Sequence, residues 1–215
     1  PMRHFFSNEL RQGELPGWNP FVNLGFPHFA DPQSGSWYPM VWVLSLFKSY
    51  GFSSLNAEWF LHVFLGGVGM YKLLESLKLR RAAVVIGSTA FMLCGFNVGT
   101  AQILPFIIGA CWLPWCIWGF KRFVECPGIK TSVILSFLLY LQITGSYPAF
   151  TIVLAYTLLI WWFVALVRAK KVRKPMLRQS AVLAALTLAL SSGFLYSVGA
   201  NLSNLGRSTQ LVFDQ

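Results

Sequence analysis

Charge is scarce in this chain: 11% of its 215 residues are Asp, Glu, Lys or Arg, against 55% that are hydrophobic. A water-soluble domain of this length needs more polar surface to cover its core. A soluble globular domain is therefore excluded, and an integral membrane protein is predicted. Acids are rarest, seven in all, so few side chains are available for proton transfer. Cysteine is sparse too. Cys111 and Cys116 would point about 140° apart on a helix, and Cys94 and Cys126 are remote from them, so neither a disulfide framework nor a cysteine metal centre is expected. There is no Walker loop, no dinucleotide fingerprint, no His-Glu-x-x-His and no Gly-x-Ser-x-Gly.

What the chain does have is long apolar runs. A membrane span needs roughly 20 mostly apolar residues, and windows of that kind fall near 57–77, 82–101, 103–120, 130–146, 148–167 and 179–199. The fourth is diluted at its end by Gln142, Thr144 and Gly145. The expected fold is an all-α polytopic membrane protein of about six transmembrane helices. Asn56 is expected to cap the first of them, with Glu58 in its first turn.

The net charge of +10 is not spread as a nucleic-acid surface would be. Twelve of the 17 basic residues fall in three connections. These are Lys78, Arg80 and Arg81; Lys121, Arg122 and Lys130; and the run from Arg168 to Arg178. Alternating helices put all three on one side, which the positive-inside rule makes cytoplasmic. Residues 1–56 and the tail 200–215 then face outward, flanking a bundle over 57–199, and no nucleic-acid partner is expected. The 168–178 connection is read as an extended turn at Lys174-Pro175, its cations touching anionic inner-leaflet lipid. Lys72 and Glu75 are spaced for a local ion pair.

The outward segment has its own organisation. Residues 2–12 alternate Phe5, Phe6 and Leu10 with Arg3, His4, Asn8, Glu9 and Arg11, as an interfacial amphipathic helix does. Residues 13–39 hold five prolines and four glycines and read as a stiff loop over the helix ends. Residues 40–50 are apolar but too short to span, and read as a second interfacial or re-entrant helix.

Candidate functional residues gather in that loop. Asp31, between Ala30 and Pro32, fits a general base held in fixed geometry and equally a carboxylate accepting turn hydrogen bonds. His28 is placed to pair with Asp31 or meet a phosphate, or to be a solvated loop histidine. His62 lies one turn beyond Glu58 on the same helical face, where an ionisable group faces protein or a cavity rather than lipid. It suits either a ligand contact or a hydrogen bond to Glu58. Arg207, past the last span, and Arg11 suit an anionic headgroup, though lipid-contacting arginines look the same. Gly95 and Gly99 are spaced as a helix-packing pair.

The run Gly13-Glu14-Leu15-Pro16-Gly17-Trp18-Asn19-Pro20, then Gly25-Phe26-Pro27, Ala30-Asp31-Pro32-Gln33-Ser34 and Tyr38-Pro39, resembles the first outer loop of YfhO-like bacterial membrane proteins. The tail from Ser203 to Arg207 resembles that family's Ser-x-Arg element. The resemblance implies a GT-C type glycosyltransferase of the bacterial cytoplasmic membrane, its active site at the outer face. Its donor would be a sugar linked to polyprenyl phosphate, and its acceptor a cell-envelope polymer or lipid. Asp31 would then be the catalytic or acceptor-orienting acid, Arg207 and Arg11 phosphate contacts, and Trp18, Asn19, His28, Gln33, Tyr38 and His62 substrate contacts. The family's most characteristic carboxylate follows an earlier span, a region expected to precede Pro1. No cofactor is indicated, and a divalent metal stays open. A transporter or lipid flippase and a non-catalytic envelope-assembly subunit are the alternatives.

Overall fold

The computed structural model describes residues 2–21, 25–168 and 173–202. It is all-α apart from one two-residue ladder. Helix α1 (Met2–Arg11) is followed by strands β1 (Trp18–Asn19) and β2 (Phe26–Pro27), a 3-10 turn (His28–Ala30) and α2 (Pro39–Phe47). The bundle comprises α3 (Phe52–Ser76), α4 (Arg81–Met92), α5 (Gly95–Gly99), α6 (Leu104–Glu125), α7 (Ile129–Gly145), α8 (Pro148–Arg168) and α9 (Arg173–Ala200). Proline opens α2 and α8 and lies at the start of α6, where its missing N–H costs nothing and its fixed φ suits a first turn.

Among the described residues four helical stretches are long and apolar enough to cross a membrane: Arg81–Gly99, Leu104–Glu125, Pro148–Arg168 and Arg173–Ala200. The other two of the six expected spans differ in kind. α3 has 25 residues but carries Glu58, His62, Lys72 and Glu75. α7 has 17, about 26 Å of helix, a little less than a bilayer core.

Several local expectations are corrected. α3 begins after Gly51, so Asn56 lies inside the helix rather than capping it. The run 82–101 is not one helix: it breaks at Leu93 and Cys94, and Asn97 donates to the carbonyls of Phe91 (2.8 Å) and Met92 (3.3 Å) across the break. Gly95 and Gly99 are not a packing pair, since a Cβ on either would meet nothing within 4 Å. Lys174 and Pro175 fall inside the first turn of α9 rather than in an extended turn; a proline is tolerated there because helix N-terminal amides have no intrahelical acceptor.

α6 is the central helix. Just over half of its most apolar stretch is buried (56%), against 11% for α9. It packs beside α3 and α7, and both buried apolar clusters draw on it, one through Ile107 and Ile108, the other through Cys116, Phe120 and Phe123. α3 approaches it through a glycine face: a Cβ on Gly66 would be 3.2 Å from Cys111 Cα, and Trp115 Nε1 donates to the Leu65 carbonyl at 2.9 Å. Outward-facing Ile86, Val153, Ile160 and Leu188 are exposed, as side chains that contact lipid would be.

α7 and α9 run parallel, because Ser132 bonds Gln179 (3.1 Å) and Ser136 bonds the Leu183 carbonyl (3.2 Å), a four-residue step in each. The bundle therefore has two distinct ends. At one lie the described basic connections, including Arg80, Arg81, Arg122, Lys130 and Arg173. At the other lie α1, α2 and the loop between them. Lys72 and Glu75 form the expected ion pair, at 3.2 Å.

Candidate functional site

The α1–α2 unit is fixed to the bundle by aromatic side chains. Trp37 donates to the Phe29 carbonyl at 2.9 Å, and Tyr140 of α7 donates to the Trp37 carbonyl at 2.9 Å. The Trp37 ring fills the space where Gly193 of α9 lacks a Cβ. Trp42 donates to the Ser36 carbonyl at 2.7 Å. Residues 25–39 thus form an ordered cover over the bundle end, as the proline-rich composition predicts.

Beneath that cover is a buried ionic centre. Glu58 of α3 is fully buried, and Arg3 of α1 is 8% exposed. They form an ion pair across 55 residues of sequence. Tyr50 donates to the other Glu58 carboxylate oxygen at 2.5 Å, and its own N–H is held by Ser7 Oγ at 3.0 Å. His4 contacts the Tyr50 carbonyl at 2.8 Å through Nδ1. Burial works against the Arg3 charge, but the Glu58 carboxylate outweighs it and holds the guanidinium above its ordinary range. Burial foremost, with Glu58 adding to it, pushes the Tyr50 phenol up, so it stays a donor. Buried charges persist only when paired in this way.

The pairing is incomplete. Arg3 Nη2 is buried with no hydrogen-bond partner. Gly35, at φ +74°, passes so close that a Cβ there would be 3.1 Å from Nη2. Arg3 also lines a cleft of about 690 Å³, with His4, Gln33 and Tyr50 among its polar residues and Leu55 and Leu104 among its apolar ones.

A second network lies deeper. His62 Nδ1 is 2.7 Å from the Glu58 main-chain carbonyl, an acceptor, so Nδ1 carries the proton and Nε2 accepts. Tyr38 donates to that Nε2 at 2.6 Å and accepts from Trp112 Nε1 at 3.0 Å. His62 therefore bonds the Glu58 backbone rather than its carboxylate. Both Tyr38 and His62 are buried among protein groups.

The remaining expected site residues are dispersed. Asp31 is half-buried; its Oδ1 accepts the Gln33 N–H at 2.8 Å, the turn-capping arrangement, and burial raises its carboxyl against that bond. His28 is fully buried and makes no side-chain bond to Asp31; neither ring nitrogen has a partner. Its ring packs against Phe5, Phe6 and Phe26, and burial lowers its pKa to about 4. Asn19 is buried and caps its own turn through Phe21 N–H at 3.0 Å. Trp18 is 57% exposed, and its ring covers Gly25. Arg11 is exposed at the end of α1. Arg207 lies outside the described residues. Of the expected contacts among the described residues, only Gln33 lines the cleft with Arg3.

Sequence reasoning missed the Arg3, Tyr50 and Glu58 centre. A signal was present: Arg3 shares a helical face with Phe6 and Leu10 by i+3 and i+7 spacing, and Glu58, in an apolar helix with no Lys or Arg within a turn of it, calls for a cation from elsewhere. Among the described residues no group of three or more His, Cys, Asp or Glu converges to hold a metal ion. Comparison with protein-family models, with curated proteins and with solved structures yields no match.

Proposed function

We propose that this chain is part of a six-span membrane glycosyltransferase that binds a polyprenyl-phosphate-linked sugar in the Arg3 cleft, at the outward end of the bundle. The observation that carries the reading is that Arg3, whose buried Nη2 has no hydrogen-bond partner, lines a cleft with both polar and apolar residues. A cationic donor held in low dielectric favours a phosphate, and Leu55 and Leu104 suit the first isoprene units. Glu58 is spent on neutralising Arg3, so it is no base. We assign proton acceptance from the acceptor hydroxyl to Asp31, two residues from Gln33 in the cleft wall, a role that its raised pKa favours.

The assay is sugar transfer from a polyprenyl-phosphate donor in proteoliposomes. Asp31→Asn is expected to lower the rate by roughly 10²-fold. The double variant Arg3→Gln/Glu58→Gln removes the cationic donor without leaving a buried charge, and is expected to raise KM for the donor. Transfer at the parental rate by both variants would falsify the reading. A second reading, a carrier-binding subunit without catalysis, is favoured by the bond that already occupies Asp31 Oδ1. It predicts polyprenyl-phosphate binding with no transfer in any variant.

A further inference from the structure

We propose that the cleft between α6 and α7, at the basic end of the bundle, holds the headgroup of an anionic phospholipid, its phosphate meeting Arg122 and Lys130. The site lies at the opposite end of the bundle from the Arg3 cleft and is independent of it. It encloses about 400 Å³, within the range of small-molecule sites.

Its charge is of one sign. Arg122 and Lys130 both line the cleft, and no acid does. Nearby cations are already neutralised, Lys121 by Glu125 at 2.6 Å and Lys72 by Glu75 at 3.2 Å. Arg122 and Lys130 have no ion pair and no side-chain hydrogen bond among the described residues. The adjoining cleft between α3 and α6 shares Arg122 but also contains Glu75, which would repel an anion. The α6–α7 cleft is therefore the better anion site.

Arg122 is already positioned. Its guanidinium lies over the Trp118 ring, 5.7 Å from the centroid, and stacking of this kind leaves N–H groups at the edge of the plane free for a phosphate. Lys130 stands in the first turn of α7, where there is no acid. A cation there faces the positive end of the helix, and an anion beside it relieves that repulsion.

The surroundings favour a phosphate carried by a lipid. Arg122 is in the last turn of α6, one of the helices long and apolar enough to cross a membrane, so the cleft lies where that helix leaves hydrocarbon. Trp118, Gly119 and Ile134 supply its apolar lining. From Ile134 the exposed face of α7 continues to Phe137, a surface for an acyl chain. A choline or ethanolamine headgroup would bring its own cation towards Arg122 and Lys130, with no acid to receive it. A glycerol headgroup brings none.

Native mass spectrometry of the detergent-purified protein tests this with phosphatidylglycerol against phosphatidylcholine of the same chains. A net charge-assisted contact predicts about tenfold stronger retention of phosphatidylglycerol. Arg122→Gln with Lys130→Gln is expected to bring the two lipids to parity. Lys78→Gln with Arg80→Gln removes the same charge from the same end, outside the cleft, and is expected to keep the preference. Lys130→Gln alone, at an exposed position, is expected to weaken the preference and decides the matter should the double variant not fold. Equal retention of the two lipids by the parental protein overturns the proposal, as does a preference that survives loss of both cleft cations or that falls as far in the Lys78 and Arg80 variant. Glycerol phosphate, the same chemistry without chains, is expected not to displace phosphatidylglycerol at equal concentration; displacement would assign the cleft to a soluble phosphate and overturn the lipid.

Discussion

The Tyr38 hydroxyl donates to His62 Nε2 at 2.6 Å, joining the residue that opens α2 to the middle of α3. The bond has a defined direction because the other ring nitrogen of His62 is committed to the Glu58 carbonyl. With Trp112 donating to the same hydroxyl, the Tyr38 oxygen is satisfied as donor and acceptor in a site with no water access. This bond and the Arg3 ion pair are two buried polar ties between the α1–α2 unit and α3.

Tyr38→Phe is expected to leave His62 Nε2 and Trp112 Nε1 both buried and unpaired. Each such group costs about 1–3 kcal/mol. Thermal unfolding in detergent should show a marked loss, and Tyr38→Phe combined with Trp112→Phe should cost less than the sum of the two single changes. Strict additivity would show that the two side chains do not interact.

Arg3→Met leaves Glu58 as an uncompensated buried charge and is expected to destabilise by about 3–5 kcal/mol. Arg3→Met with Glu58→Gln should recover most of that, because the pair as a whole contributes far less than either partner alone. Equal destabilisation of the single and double variants would contradict a coupled pair.

His28 sets a pH dependence. Its pKa falls from 6.5 to about 4 on folding, so between these values the unfolded chain binds more protons than the native one. The stabilisation from keeping His28 neutral is complete above pH 6.5 and is lost as pH falls towards 4, up to about 3 kcal/mol in all. Asp31 acts in the opposite sense, since a carboxyl raised by burial gains relative stability as pH falls. Unfolding temperature followed from pH 7 to 4 should drop in the parental protein, drop less in His28→Phe, and drop further in Asp31→Asn.

Glycines sort by what lies beside them. Gly145→Ala would put a methyl 2.7 Å from the Tyr38 ring, an overpacking expected to cost about 1–3 kcal/mol. Gly99→Ala meets nothing within 4 Å and should be neutral or slightly stabilising. Thermal shift of the two variants separates them, and similar losses would contradict the packing described.

Charge asymmetry predicts an orientation with the α1 end outward. Gln33 is exposed in the cover over the α1 end, whereas Ser36, also in that cover, is 1% exposed and is a poor reporter. An impermeant thiol reagent applied to intact cells should label Gln33→Cys in a Cys94→Ser background and spare exposed Cys126 at the basic end. Labelling of Cys126 instead would invert the proposed topology and move the Arg3 cleft to the cytoplasmic side.

The sequence by itself determined the elements set by local chemistry. Apolar run length marked the helical stretches of the bundle, with α4 and α5 read as one. Clustered Lys and Arg marked one end of the bundle, and the amphipathic pattern of residues 2–12 marked α1. Asp31 before Pro32 already carried a turn-capping reading, and the observed bond to Gln33 N–H is of that kind. Tertiary structure decided everything that depends on partners distant in the chain. Arg3 read as a surface residue because its ion pair to Glu58 spans 55 residues, and spacing within one helix carries no information about a carboxylate on another. His62 was legible as protein-facing, yet its partner was set by Tyr38 arriving from the loop. The break at Leu93 and Cys94 was hidden because hydropathy continues unbroken through it, while the side chain that caps it, Asn97, is polar only locally. Gln142 looked like a blemish in an apolar helix; its side-chain amide is held by Ser146, which meets Thr151 only when α7 and α8 pack.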